Sequence, residues 1–246
     1  MRLILTLVSV MLFGVSAQQA LAQTKITNQY LEHNSVKYFR GKAENVVLGS
    51  YGEKKNPIGS AAYLAIQNNI RAEHLNNRVR VLSPVEITWN NTTKAEVEAN
   101  GSLRVYGLNL SAARNMTFEQ ARSGRLKLVK LFINEGALQT MLNRDALAAR
   151  NYLAREGTDA RIVSEVWVVM EAELAEHFDT SSSIRVEVSR GQQAALEITA
   201  SGGIHRSQSI TLSAGNVFAY LLHKVKSWNR DKTEIENMED DQSGLN

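Results

Sequence analysis

The side chains that could do chemistry are few and far apart. Five histidines, His33, His74, His177, His205 and His223, are scattered along the chain, and no two form an H-x-H or H-x-x-x-H pair. Glu173, Glu176 and His177 come nearest to a ligand set. On a strand Glu173 and His177 would share a face about 13 Å apart along the axis, too far to meet at one ion. The chain has no cysteine, which removes thiol nucleophiles and thiolate metal ligands. It has no G-x-S-x-G elbow and no P-loop, and Ser201-Gly202-Gly203 is too short to cradle a phosphate and reads as a turn. A pair of carboxylates brought together from distant positions, as in glycoside hydrolysis, leaves no local signature. Asn90-Asn91-Thr92-Thr93 and Asn115-Met116-Thr117 match the glycosylation pattern, which is accidental behind a bacterial-type leader. No cofactor and no metal are expected.

The elements that would have to position such residues are mostly strands. Gln23 to Ser35 is polar and reads as a loose leading segment. Val36–Phe39 and Val46–Leu48 are short strand candidates, and Gly49 to Gly59, with Pro57, reads as a loop. Ala61, Leu64, Ala65 and Ile70 fall near one face of a helix over residues 60–76. From Val79 the period changes to two, with Val79, Val81, Val85, Ile87, Trp89 and Val97 alternating with polar residues. Asn100-Gly101 then sits between two strand-like runs as a two-residue hairpin turn, with Leu103, Val105, Leu108 and Leu110 on the return strand. Arg125 to Phe132 alternates again. Residues 136–155 read as a helix with Leu138, Met141, Leu142, Leu147 and Leu153 as its apolar set, stopped by Gly157.

The last third reads as all strand. Val166, Val168 and Met170 share one parity and Val169 the other, which predicts burial on both faces. Ile184, Val186 and Val188 alternate with Arg185 and Glu187 beyond a turn at Thr180–Ser183. Leu196–Ala200, Ile210–Leu212 and Val217–Val225 follow. The expected class is α+β: a largely antiparallel β-sheet with long strands and helices near 60–76 and 136–155.

The two ends differ from the middle. Arg2, the apolar run Leu3 to Val15 and Ala20-Leu21-Ala22 have the three parts of a cleavable signal peptide, residues 1–22, with Gln23 as the mature N-terminus. The run is about 13 residues, short of the roughly 20 that a spanning helix needs. Cleavage removes Arg2, so the formal charge of +3 becomes +2. Residues 23–228 read as one domain, because the 2 prolines mark no linker. Residues 229–246 form an acidic tail with Asp231, Glu234, Glu236, Glu239, Asp240 and Asp241, expected to be disordered or weakly helical. The body before it is therefore the more basic part of the chain.

From Val79 to Trp228 the order of elements resembles the pore-forming domain of gasdermins. Arg125-Leu126-Lys127-Leu128 leads through Glu135-Gly136 into a helix with Leu138 and Leu142, like that family's strand-then-helix step. Glu165-Val166-Trp167-Val168-Val169-Met170-Glu171 is similar to its central apolar strand. Ile210-Thr211-Leu212 to Val217-Phe218-Ala219-Tyr220 is similar to its closing strand. The resemblance implies a long antiparallel sheet whose two hairpins extend into a membrane on activation. The leader and the lack of cysteine depart from bacterial members, which act inside the cell and carry a lipid-modified N-terminal cysteine. The candidate membrane or partner hairpins are Val85–Leu110, with Val85, Ile87, Trp89, Val97, Asn100 and Gly101, and Val166–Val188, with Val166, Val168, Met170, Ile184 and Val186.

Three functions fit these observations. The first is a non-enzymatic periplasmic or secreted protein that binds or assembles with another envelope or extracellular protein, using free strand edges. The second is a pore-forming or membrane-surface-binding protein, with an anionic membrane and further copies of itself as partners. The third is an exported hydrolase with a dispersed carboxylate pair. Nucleic acid is not an expected partner, because the bases alternate with apolar residues instead of clustering with exposed aromatics.

Overall fold

A computed structural model describes residues 24–27, 29–75, 77–86, 105–106, 126–172, 175, 183–188, 196–202, 206–212 and 217–245. The fold is α+β, mostly antiparallel sheet curled into a nearly closed barrel, with a few short helices.

The chain enters as a three-stranded meander, β1 (Thr24–Ile26), β2 (Tyr30–His33) and β3 (Val36–Phe39). The polar leading segment is therefore strand and not loose chain. Asn34 and Ser35 join β2 to β3, both at positive φ (50° and 65°). That is the backbone of a two-residue turn whose twist matches the strands. β4 (Ser50–Lys55) and β5 (Tyr63–Asn69) pair antiparallel and replace the expected loop and most of the expected helix over 60–76. Only α1 (Ala72–Leu75) of that helix forms. Helix propensity here yields to pairing. Gly52 lets the two backbones close, since a Cβ there would lie 2.0 Å from the Ala65 carbonyl oxygen. The Tyr220 hydroxyl also accepts from the Leu64 N–H at 3.0 Å. Val46–Leu48, expected as a strand, is a buried connection between a 3₁₀ turn and β4.

β6 (Val79–Glu86) and β8 (Leu126–Ile133) follow, with β7 (Val105–Tyr106) between them in sequence. The expected helix over 136–155 is two helices, α2 (Glu135–Arg144) and α3 (Leu147–Glu156), broken at Asp145-Ala146. Asp145 leaves the helix axis and its carboxylate takes Arg78 at 2.6 Å. Gly157, at φ 68°, ends α3 as the sequence predicts. The chain then runs through β9 (Ala160–Glu171), β10 (Ser183–Val188), β11 (Leu196–Gly202), β12 (Arg206–Leu212), β13 (Ala219–Trp228) and β14 (Ile235–Asp241).

Eleven strands form one sheet in the order β1-β2-β3-β13-β9-β4-β5. β14 lies on β13, the pair β8-β6 branches from the part of β9 beyond β4, and β7 pairs in parallel with β9. β10-β11-β12 form a separate three-stranded antiparallel sheet. β9 is the spine, and both of its faces are buried. Val166, Val168 and Met170 enter the main core with Leu138, Met141, Leu142 and Leu153 of the helices. Trp167 and Val169 enter a second core with Ile26, Leu31, Tyr38, Leu128 and Leu221, where the β1–β3 meander covers the other face. Each fully buried large side chain contributes about 2–3 kcal/mol of hydrophobic stabilisation.

The acidic tail is the largest correction to the sequence reading. Residues 235–241 are a strand paired along β13. Ile235, Met238 and Asp241 are buried, while Glu239 faces Lys224 and Lys226 at 2.9 and 3.5 Å. The charge density that suggests disorder is matched by bases on β13.

Candidate functional site

Four strands, β6, β8, β9 and β13, lie side by side and antiparallel. Their registers show where the intervening chain leaves. Glu86 is opposite Lys127, Leu126 opposite Glu171 and Ala219 opposite Trp167. The end of β6, the start of β8, the end of β9 and the start of β13 therefore sit at one end of the sheet. The two long connections, residues 87–125 and 172–218, both issue from that end.

The sequence-selected residues distribute around this point. Val85 pairs with Leu128 in the last turn of β6 before the first connection. Val166, Val168 and Met170 line one face of β9 in the main core. Ile87, Trp89, Val97, Asn100 and Gly101 lie outside the described residues, so the expected turn at Asn100-Gly101 does too. Val105 of the expected return strand pairs in parallel with Val169. One expected hairpin is corrected. Ile184 and Val186 do not pair with Val166–Met170; their partners are Ala200 and Ile198 of β11. The strand that closes on β9 is β13, where Tyr220 is opposite Val166. Adjacency in sequence suggested β10 as the partner, but β10–β12 form their own sheet within the second connection.

That inner sheet has a consistent parity. Ile184, Val186 and Val188 are registered with Ala200, Ile198 and Leu196, and Leu196 and Ile198 with Leu212 and Ile210. Arg185 and Glu187 are registered with Thr199 and Glu197, and those with Ser209 and Thr211. Apolar positions thus match apolar ones and polar positions polar ones, except that Ala200 is opposite Gln208.

The opposite end of β9 and β13 is held by charge. Leu221 pairs with Glu165 and Leu222 with Val163, so Ser164 is the extra residue of a β-bulge. Ser164 Oγ shares a hydrogen bond of 2.6 Å with His223 Nδ1. His223 Nε2 lies 3.1 Å from Asp240 Oδ1 on β14 and 3.7 Å from Glu135 Oε2 at the start of α2. Next along β9, Glu165 pairs with Lys130 of β8 at 2.9 Å. Burial raises the Asp240 carboxyl above the usual range, His223 opposes this, and Glu165 and Glu135 add to it. Burial also raises the Tyr38 phenol, with Glu165 as the next cause.

Asp241, the next residue, points to the other face and is buried. It accepts from Lys54 Nζ at 2.8 Å, Arg161 Nε at 2.6 Å and Ser243 Oγ at 2.6 Å. Burial alone would raise its carboxyl; the bonds from Lys54, Ser243 and Arg161 outweigh that and hold it well below the usual range. Lys54 also donates to the Ser243 carbonyl and Lys37 to the Leu245 carbonyl, so the last residues are tied down too.

Ser164, His223 and Asp240 have the order of an acyl-transfer relay. Ser164, however, is 0% exposed, so its hydroxyl meets no outside substrate. The three residues link strands. No sequence signal marked them, because the bulge that turns Ser164 toward His223 depends on the pairing of distant strands. Among the described residues, no group of three or more His, Cys, Asp or Glu is placed to hold a metal ion. No helix among them is long and apolar enough to cross a membrane. No protein-family model, curated protein or solved structure matches this chain.

Proposed function

We propose that this protein acts after export as a pore-former, with residues 87–125 and 172–218 as the segments that enter an anionic membrane. The carrying observation is that both connections issue from the same end of four contiguous antiparallel strands. Extension of β6, β8, β9 and β13 in that direction would give two hairpins side by side. A crossing strand needs about 9–11 residues, which each connection can supply twice. An open sheet edge is excluded from lipid because its backbone groups would be unpaired. The hairpins must therefore close with those of further copies of the chain. The alternating register of β10–β12 suits a wall with one apolar and one polar side. In the first connection Lys94, Glu96 and Glu98 alternate with Ala95, Val97 and Ala99 in the same way. The resemblance to gasdermins, carried by segments that fall in β8 and α2, β9, and β12–β13, points the same way.

The mature chain from Gln23, added at micromolar concentration to vesicles containing anionic lipid, is expected to release an entrapped dye. Vesicles that stay intact overturn the reading. A second reading, an exported protein that binds an envelope or extracellular protein, draws on β6, whose outer edge has no strand partner among the described residues. It predicts intact vesicles together with one stoichiometric partner recovered from envelope extracts.

A further inference from the structure

We propose that the β1–β3 meander occupies, in the single chain, the places that neighbouring copies take in the assembled pore. This rests on the pore-forming reading above and names the surfaces through which copies meet. The set β6-β8-β9-β13 has two outer edges, one on β6 and one on β13. β6 is antiparallel to β8, β8 to β9 and β9 to β13, so β6 and β13 run in opposite directions. The end of β6 in one copy can therefore continue an antiparallel ladder on the start of β13 in the next. Both edges are used once by each copy, and the same head-to-tail contact repeats around a ring.

In the single chain one element reaches both of these edges. β3 meets the outer edge of β13 at Tyr220, opposite Phe39, whereas β9 pairs the inner edge from Ala219 to His223. β14 covers the rest of the outer edge, from Leu222 to Trp228. At the other side of the meander, β1 reaches the last residue of β6, where the Thr24 hydroxyl donates to the Glu86 carbonyl at 3.4 Å. A further copy cannot pair with β6 and β13 at this level until the meander moves aside. What fastens the meander over the sheet is mainly apolar packing, with Ile26, Leu31 and Tyr38 set against Leu128, Trp167 and Val169. Such packing is non-directional, so lipid or a neighbouring copy can replace it. The buried pairs of Asp241 with Lys54 and Arg161 cannot be exchanged in this way, because each charge needs its own partner. The meander is thus the part of the body that can leave while β14 stays.

Clamps made with a short thiol-reactive crosslinker test this, since the chain has no cysteine of its own. One clamp joins Thr24→Cys to Glu86→Cys at the end of β6. A second joins Lys37→Cys to Gln242→Cys, where the Lys37 N–H donates to the Gln242 side chain at 2.8 Å. The two clamps sit at separate places, so the test survives if one double variant fails to fold. A third joins Lys25→Cys to Glu32→Cys, which are opposite one another inside the meander and tie it to no other strand. With either of the first two clamps closed, dye release from anionic vesicles should be lost relative to the same protein before crosslinking. The third clamp should leave release in place. Release that persists in a folded protein with either of the first two clamps closed, or that the third clamp abolishes as well, overturns the proposal while the pore-forming reading stands. Vesicles left intact by the unsubstituted chain overturn that reading and this proposal together.

Discussion

The two ends of β9 and β13 are built from the same kind of strand yet are held differently. At the Ala160–Val163 end, β9 is flanked by β4 and β13, and Arg161 reaches Asp241 across the buried side of the sheet. There α2 also grips β14, with Asn143 donating to the Ile235 carbonyl and accepting from its N–H, both at 2.9 Å. At the Met170–Glu171 end the partners are β8 and the short β7, and the chain leaves for the long connections. The fixed end uses buried charge whose loss is costly. The other end carries Glu86, Lys127 and Glu171 at its rim, and apolar residues alternate behind them along β8 and β9. The pore-forming reading proposed above calls for such a division, a body that holds while its tips extend.

Asp241→Ala should give the largest effect on the fixed end. It leaves Lys54 and Arg161 buried without their counter-charge, which costs about 3–5 kcal/mol. Denaturant unfolding of the chain from Gln23 checks this, and a change under 1 kcal/mol would remove the distinction between the ends. Trp167→Ala should cost a similar 3–5 kcal/mol, because Trp167 fills the second core against Tyr38 and His33.

Acid should act selectively on the same end. The folded-state pKa of Asp241 lies below its unfolded value, so its contribution is present above the ordinary carboxylate range and is lost as pH falls through and below about 4. Asp240 has the opposite sign: its raised pKa favours the fold below that range and loses that contribution as pH rises. Unfolding midpoints measured from pH 5 to pH 2 should therefore fall in wild type and fall less in Asp241→Asn.

In the first long connection, if Asn100-Gly101 forms the hairpin turn its sequence predicts, Gly101→Val should cost about 1–2 kcal/mol. It should reduce dye release while the unfolding midpoint of the body moves less than in Asp241→Ala. The smallest effect is expected at Glu239, which neighbours Asp240 and pairs with Lys224 at the surface. Glu239→Ala removes an exposed pair with Lys224 and should leave the unfolding midpoint unchanged.

Sequence periodicity made the central strands legible. The two parities of Val166–Met170 foretold a strand buried on both sides, and the alternation at Val79–Val85 and Leu126–Phe132 placed β6 and β8. It misread elements whose state depends on a distant partner. Residues 63–69 look helical alone and become strand because β4 is beside them. The run Ile235–Asp241 looks like solvated tail because its matching bases and buried cations, Lys224, Lys226, Lys54 and Arg161, lie elsewhere in the chain. The Ser164–His223–Asp240 link was beyond reach for the same reason. The common end of the two connections needed the registers, although the long connections themselves could be counted along the chain.

The chain has no native cysteine, so the central claim can be read one residue at a time. Single cysteines placed at 94 through 99, each carrying an environment-sensitive fluorophore, would be compared in solution and with anionic vesicles. The account predicts an alternating response: Ala95→Cys, Val97→Cys and Ala99→Cys report transfer into lipid, and Lys94→Cys, Glu96→Cys and Glu98→Cys remain in water. Uniformly aqueous signals at all six positions, in protein that is bound to the vesicles, would contradict it.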